Sequence, residues 1–171
     1  GCYVKTFRLD QPLAPGERLS VSFKGAESAI AVWLNGKYIG YGTDSFTPSE
    51  FDLTPALVVG DNMLAAQVFK WSASSWLEDQ DFFRFSGLFR DVELYRRPAT
   101  HAEDIRVSTT VAADLKVARI TLKVALTGRG KVKVSLRGVV DFEETQPGVF
   151  ELDVRDPHLW SAEDPYLYQV A

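Results

Sequence analysis

Cysteine, methionine and histidine are almost missing from this chain: 171 residues hold one cysteine, one methionine and two histidines. A single cysteine, Cys2, excludes the internal disulfide framework that staples small secreted domains, and without a local histidine it is no candidate nucleophile. His101 and His158 fall in a linker and a proline-rich loop, with no Cys, Asp or Glu at metal-ligand spacing, which excludes a structural zinc. Long apolar runs are also lacking. No stretch approaches the roughly twenty residues that cross a bilayer, so a membrane is not an expected partner. The opening GCYVKTF has no charged region followed by an apolar one, hence no secretory leader, and the expected location is cytoplasmic. Net charge is only −4, with no clustered basic face, which excludes nucleic acid as a partner. There is no phosphate-binding glycine loop, and neither Ser45 nor Ser86-Gly87 sits in a nucleophile elbow.

What is present is alternation of period two, with turn residues between short runs. Tyr3, Lys5, Phe7 and Leu9 form one set, and Leu19, Val21 and Phe23 the next. Ala29–Leu34 and Tyr38–Tyr41 flank Asn35-Gly36, a hairpin signal because both residues tolerate positive φ. Phe51–Thr54 leads into one helical turn at Pro55-Ala56-Leu57. Gly60-Asp61-Asn62 makes a bend, and Met63–Trp71 and Leu88–Tyr95 read as further strands. Arg96-Arg97-Pro98-Ala99-Thr100 breaks the pattern and divides the chain into domains of residues 1–97 and 98–171. Beyond it, strands are expected at Ile105–Val111, Arg119–Leu126, Lys131–Leu136, Val149–Val154 and Tyr166–Val170. Ile120, Leu122 and Val124 face inward, Arg119, Thr121 and Lys123 outward. Trp160, between Asp156-Pro157 and Asp164-Pro165, is expected to plug the end of this second unit. The fold class is all-β: a jelly-roll sandwich, then a smaller immunoglobulin-like sandwich without the cysteine pair of antibody domains.

The densest chemistry lies in WSASSWLEDQDFFRFSGLFRDV, Trp71–Val92. Trp71, Trp76, Phe82, Phe83, Phe85, Phe89 and the nearby Tyr95 accompany three acids, Glu78, Asp79 and Asp81. Rings stack on the C–H faces of a sugar while carboxylates accept from its hydroxyls, so the mixture suits carbohydrate; it equally suits a buried strand pair with a charged turn. Glycoside hydrolysis needs two carboxyl groups across the scissile bond, about five ångströms apart for retention. Glu50 with Asp52, and Glu78 with Asp81, are the available pairs, and neither builds a self-contained active site. No residue is assigned as catalytic.

The residue order of that stretch resembles the glycoside hydrolase family 2 β-galactosidases of the large bacterial, lactose-operon type. So do GCY at the start, SAIAVWLNGKYIGYGTDSFTPSEFDLT (Ser28–Thr54) and DPHLWSAEDPYLY (Asp156–Tyr168), all in the right order over nearly the whole chain. The resemblance implies a jelly-roll sugar-binding domain, an immunoglobulin-like domain and then a TIM barrel holding both catalytic glutamates. A barrel takes about 250 residues and does not fit here, so the chain reads as an inactive piece of a retaining enzyme acting on terminal β-D-galactosides. By the same resemblance Asp81 binds both substrate and metal: it reaches into the barrel's site, where it helps hold sodium and the galactosyl 6-hydroxyl. Sodium and magnesium are expected in the full-length enzyme and no cofactor in this stretch alone; the partner is a β-galactoside, and a homo-oligomeric parent stays open. Three alternatives remain: Asp81 as a structural acid paired with Arg84 or Arg90, a free-standing carbohydrate-binding module, and a glucuronide- or mannoside-specific member of the family. Against the family pattern, the jelly roll lacks its early strands. The second sandwich is short between Gly128 and Val149 and stops inside its last strand.

Overall fold

A computed structural model describes residues 1–78, 80–81, 83–137, 139–141 and 148–171; Asp79 and Phe82, named above, lie outside the described residues. The chain forms two compact units, Gly1–Ala99 and Thr100–Ala171. Its elements are strands and two short 3-10 turns, and no described helix is long and apolar enough to cross a membrane.

In the first unit the strands are β1 (Cys2–Leu9), β2 (Arg18–Phe23), β3 (Ala26–Glu27), β4 (Ala29–Leu34), β5 (Lys37–Thr43), β6 (Ser49–Asp52), β7 (Gly60–Phe69), β8 (Gly87–Leu88) and β9 (Val92–Arg97). They make one antiparallel sheet ordered β1-β7-β4-β5, a second ordered β6-β2-β9, and the short pair β3-β8. Apart from the β4–β5 hairpin, consecutive strands pass between these sheets, as a jelly roll requires. The core between them comes from alternate positions: Val21 and Phe23 of β2, Ile30, Val32 and Leu34 of β4, Leu64, Ala66 and Val68 of β7. Asn35 and Gly36 turn the β4–β5 hairpin at φ 53° and 79°. Asn62, fully buried, ties the next bend together. Its Oδ1 accepts from Asn35 Nδ2 and the Val58 N–H at 2.9 Å each, and its Nδ2 donates to the carbonyls of Val58 and Gly60 at 2.7 and 3.0 Å.

Two expected strands are redrawn. β7 begins at Gly60, whose φ of +99° makes the bend that Asn62 holds, and it ends at Phe69, before Trp71, because Ser72 caps a 3-10 turn at Ala73–Trp76. The run Leu88–Tyr95 is split into β8 and β9. Phe89 lies so close over Gly25 that a Cβ there would meet its ring at 2.8 Å, and the partner chain breaks at the same point between β2 and β3. Arg96 and Arg97 belong to β9, paired with Glu17 and Glu50 at 2.6 and 3.1 Å.

In the second unit β10 (His101–Val111), β11 (Val117–Thr127) and β14 (Val149–Arg155) form one sheet, and β12 (Ser135–Leu136) pairs with β13 (Val140–Asp141). β11 keeps the predicted alternation, with Ala118, Ile120, Leu122 and Val124 buried. Together they make the small immunoglobulin-like sandwich. Lys131–Leu136 shortens to β12. Tyr166–Val170 forms no strand: Tyr166 N–H turns back to the Asp164 carbonyl at 2.9 Å, and only Val170 bridges Leu136. Trp160 does not plug the sandwich, being 62% exposed; Tyr168 packs against Ile120, Leu122, Val134, Leu136 and Val154 instead. His101 lies in a strand, not a linker.

Candidate functional site

Trp71–Val92 is a turn whose two ends are gripped by the dipeptide Glu27-Ser28. At its start, Ser72 and Ser75 form a capping box around the 3-10 turn. Ser28 Oγ donates to Ser72 Oγ at 2.8 Å and accepts from Ser75 Oγ at 3.1 Å. At its end, Gly87 turns at φ +69° and pairs with Glu27 in the β3–β8 ladder. Between those anchors lie Glu78 and Asp81, outside the described strands.

Glu78 is not available as half of a catalytic pair. Its Oε1 accepts the Ser45 N–H and its Oε2 the Ser45 hydroxyl, both at 2.7 Å, and Ser45 is fully buried. Ser45 stands where it does because Asp44, at φ +84°, folds the 44–47 loop: Oδ1 accepts the N–H groups of Phe46 and Thr47 at 3.0 and 3.2 Å, and Oδ2 the Thr47 hydroxyl at 2.5 Å. The Thr47 hydroxyl, with the two backbone donors, holds the Asp44 carboxyl below the usual carboxylate range against the opposing effect of burial. The other pair is engaged too. Glu50 accepts from Arg97 at 3.1 Å, and Asp52 accepts the Thr54 N–H at 2.9 Å to start the 3-10 turn Thr54–Ala56.

Asp81 is exposed, and among the described residues it has no hydrogen-bond or ion-pair partner. The two arginines weighed as its partners are directed elsewhere. Arg84 lies 5.3 Å over the Trp71 ring and donates to the Ser75 carbonyl at 3.4 Å; Arg90 donates to the carbonyls of Phe46 and Lys24 at 2.8 and 3.3 Å.

The aromatics divide. Phe85 and Phe89 stack at 4.7 Å with Phe46 against both, a structural trio. Trp76 and Phe83 project into solvent, 86% and 83% exposed, on the same turn as Asp81. Tyr95 stands apart on β9, where Lys24 donates to its hydroxyl at 2.5 Å. Beneath the turn a cavity of about 10 Å³ is lined by Glu27, Ser28, Ser45, Phe46, Glu78, Phe83 and Arg84. That is room for about one water-sized group, so the turn presents a wall rather than a pocket. Ser45 and Glu27 were missed as site residues by sequence reasoning; only the position of Ser45 inside the DSF motif could have signalled it.

Among the described residues no group of three or more His, Cys, Asp and Glu could hold a metal. Each histidine meets one acid: His101 Nε2 meets Glu103 at 2.9 Å and His158 Nε2 meets Asp164 at 2.6 Å.

Two family models match the chain: "Glycosyl hydrolases family 2, sugar binding domain" over residues 1–98 and "Glycosyl hydrolases family 2" over residues 100–171. The chain is 43% identical to the β-galactosidase large subunit of Leuconostoc lactis, over 99% of this chain and 28% of that protein. It is 41% identical to a Clostridium acetobutylicum β-galactosidase, over 98% of this chain and 20% of the relative. It thus spans less than a third of the length of these curated relatives. Among solved structures, a Bifidobacterium dentium β-glucuronidase complexed with coumarin-3-O-glucuronide is similar with TM-score 0.79 and 30% identity, over 99% of this chain and 36% of that one.

Proposed function

The chain belongs to glycosyl hydrolase family 2, and from that premise we propose that it is the substrate-side part of a retaining β-galactosidase hydrolysing terminal β-D-galactosides. In this reading residues 1–97 are the sugar-binding jelly roll and residues 98–171 the immunoglobulin-like support, while both catalytic carboxyl groups lie outside the chain. Asp81 carries the reading: it is an exposed carboxylate on a turn fixed at both ends, engaged by no other side chain among the described residues. One carboxylate can bind a hydroxyl or an ion but cannot supply the two groups that hydrolysis needs. Trp76 and Phe83, exposed on the same turn, supply apolar faces for a sugar ring.

Asp81 also fits as one oxygen ligand of sodium, a hard cation, with the remaining ligands coming from outside this chain. Bound there, the ion would supply a positive charge beside a sugar hydroxyl. Magnesium is expected of the whole enzyme alone, and no residue of this chain is assigned to it.

Galactoside is preferred over glucuronide because the relatives at 41–43% identity are named β-galactosidases, while the glucuronidase structure stands at 30%. A free-standing sugar-binding module is the second reading, favoured by the exposed Trp76 and Phe83. The test is an assay of the whole gene product on p-nitrophenyl β-galactoside and β-glucuronide, beside the 171-residue chain alone. Turnover of galactoside by the whole product only is expected. Preference for glucuronide overturns the specificity, and sub-millimolar galactose binding by the chain alone favours the module.

A further inference from the structure

Glu27 is a charge without a function so far. Only 5% of the residue is exposed, its Oε2 is fully buried, and no hydrogen bond reaches that atom. A buried carboxylate without a counter-charge is strongly unfavourable, so its retention needs an electrostatic reason. The cavity under the acidic turn provides one. Of its lining residues, Glu78 has both oxygens taken by Ser45, and Arg84 is the cation. Glu27 and Arg84 do not touch as an ion pair; they line one space that admits a single water-sized group. Such a group can donate to Oε2 and accept from the guanidinium, linking the buried carboxyl to the exposed arginine through one shared partner.

We propose that Glu27 is a positioning residue that holds Arg84, and through it the turn bearing Asp81, by charge across this cavity. The backbone of Glu27 already pairs with Gly87 at the end of the turn, and its neighbour Ser28 holds the beginning. The side chain would add the third point of support, at the turn's middle. The consequence for Asp81 rests on the functional reading above; the coupling of Glu27 to Arg84 does not.

The test uses the whole enzyme with Glu27→Gln, Arg84→Met and the double variant. Hydrogen exchange of the peptide spanning 72–87 is expected to quicken about tenfold in either single variant, with the double no faster than Arg84→Met alone. Galactosidase kcat/KM is expected to follow the same non-additive pattern. Multiplying effects in the double variant, or unchanged exchange across 72–87 in Glu27→Gln, would overturn the proposal. If Glu27→Gln does not fold, Glu27→Asp keeps the charge one methylene short. A smaller quickening confined to 72–87 is then expected, and none at all overturns the proposal. Should Asp81→Asn leave activity intact while Glu27 and Arg84 remain coupled in exchange, the functional reading fails and this inference stands.

Discussion

The backbone N–H and the hydroxyl of Ser45 both donate to the Glu78 carboxylate, at 2.7 Å each, across 33 residues of sequence. This fork locks the 44–47 loop to the acidic turn and uses up both oxygens of Glu78. Ser45→Ala removes one donor and leaves a shielded carboxylate oxygen without it, at a cost of about 1–3 kcal/mol. The expected outcome is faster hydrogen exchange in both segments, 44–47 and 72–87, and little change in the β4–β5 hairpin. Exchange that quickens in one segment only would mean that the fork does not couple them.

Asp44 makes the same loop sensitive to acid. Its carboxyl is held below the ordinary value by the Thr47 hydroxyl and then by the Phe46 and Thr47 backbone donors. A group whose folded pKa is depressed contributes stability that is complete above its unfolded value, about 3.9, and is lost as pH falls through the lower folded value. The loop should therefore be intact at pH 5 and weaken progressively below about pH 4. Carbon-13 NMR of the Asp44 carboxyl, followed through that range, is expected to titrate below 3.9. Asp44→Asn should abolish this part of the acid response.

Gly25 is where the second sheet kinks. A Cβ at this position would meet the Phe89 ring at 2.8 Å and Arg90 Cγ at 3.1 Å. Gly25→Ala must displace a ring stacked on Phe85, with a cost of about 1–3 kcal/mol in a packed site. Denaturant unfolding should show that loss. An unchanged midpoint would mean that Phe89 relocates freely.

Asn62 tests the bend before β7. Asn62→Ala strips partners from Val58 N–H, the carbonyls of Val58 and Gly60, and Asn35 Nδ2, all around a fully buried position. A loss of about 2–4 kcal/mol is expected in unfolding experiments; a loss under 1 would show that water replaces the amide.

Local chemistry explains how far the sequence can be read. Asn35-Gly36 announces its hairpin because positive φ at two adjacent residues is a property of those residue types. β11 is legible because one of its faces is buried and the other wet. The split of Leu88–Tyr95 is not legible, since it depends on Phe89 meeting Gly25, 64 positions back in the chain. Trp160 reads as a core residue by type, yet Tyr168 takes that place. At the site, the motif order locates the turn and Asp81, whereas the engagement of Glu78 by Ser45 and the burial of Glu27 arise only from folding. The alternation of acids cannot distinguish a carboxylate consumed by a hydrogen-bond fork from one left facing solvent.

The central claim is that Asp81 is the substrate-side carboxylate, and Asp81→Asn in the whole enzyme tests it most directly. The substitution keeps the shape and removes the charge that a cation and a sugar hydroxyl would share. Steady-state assays on p-nitrophenyl β-galactoside, at low and high sodium and with Asp79→Asn as control, should show at least a tenfold fall in kcat/KM, about 1.4 kcal/mol. The response to sodium should be blunted, the fold kept and the control near wild type. Full activity of Asp81→Asn at both sodium concentrations would contradict the account, as would damage that follows Asp79 instead.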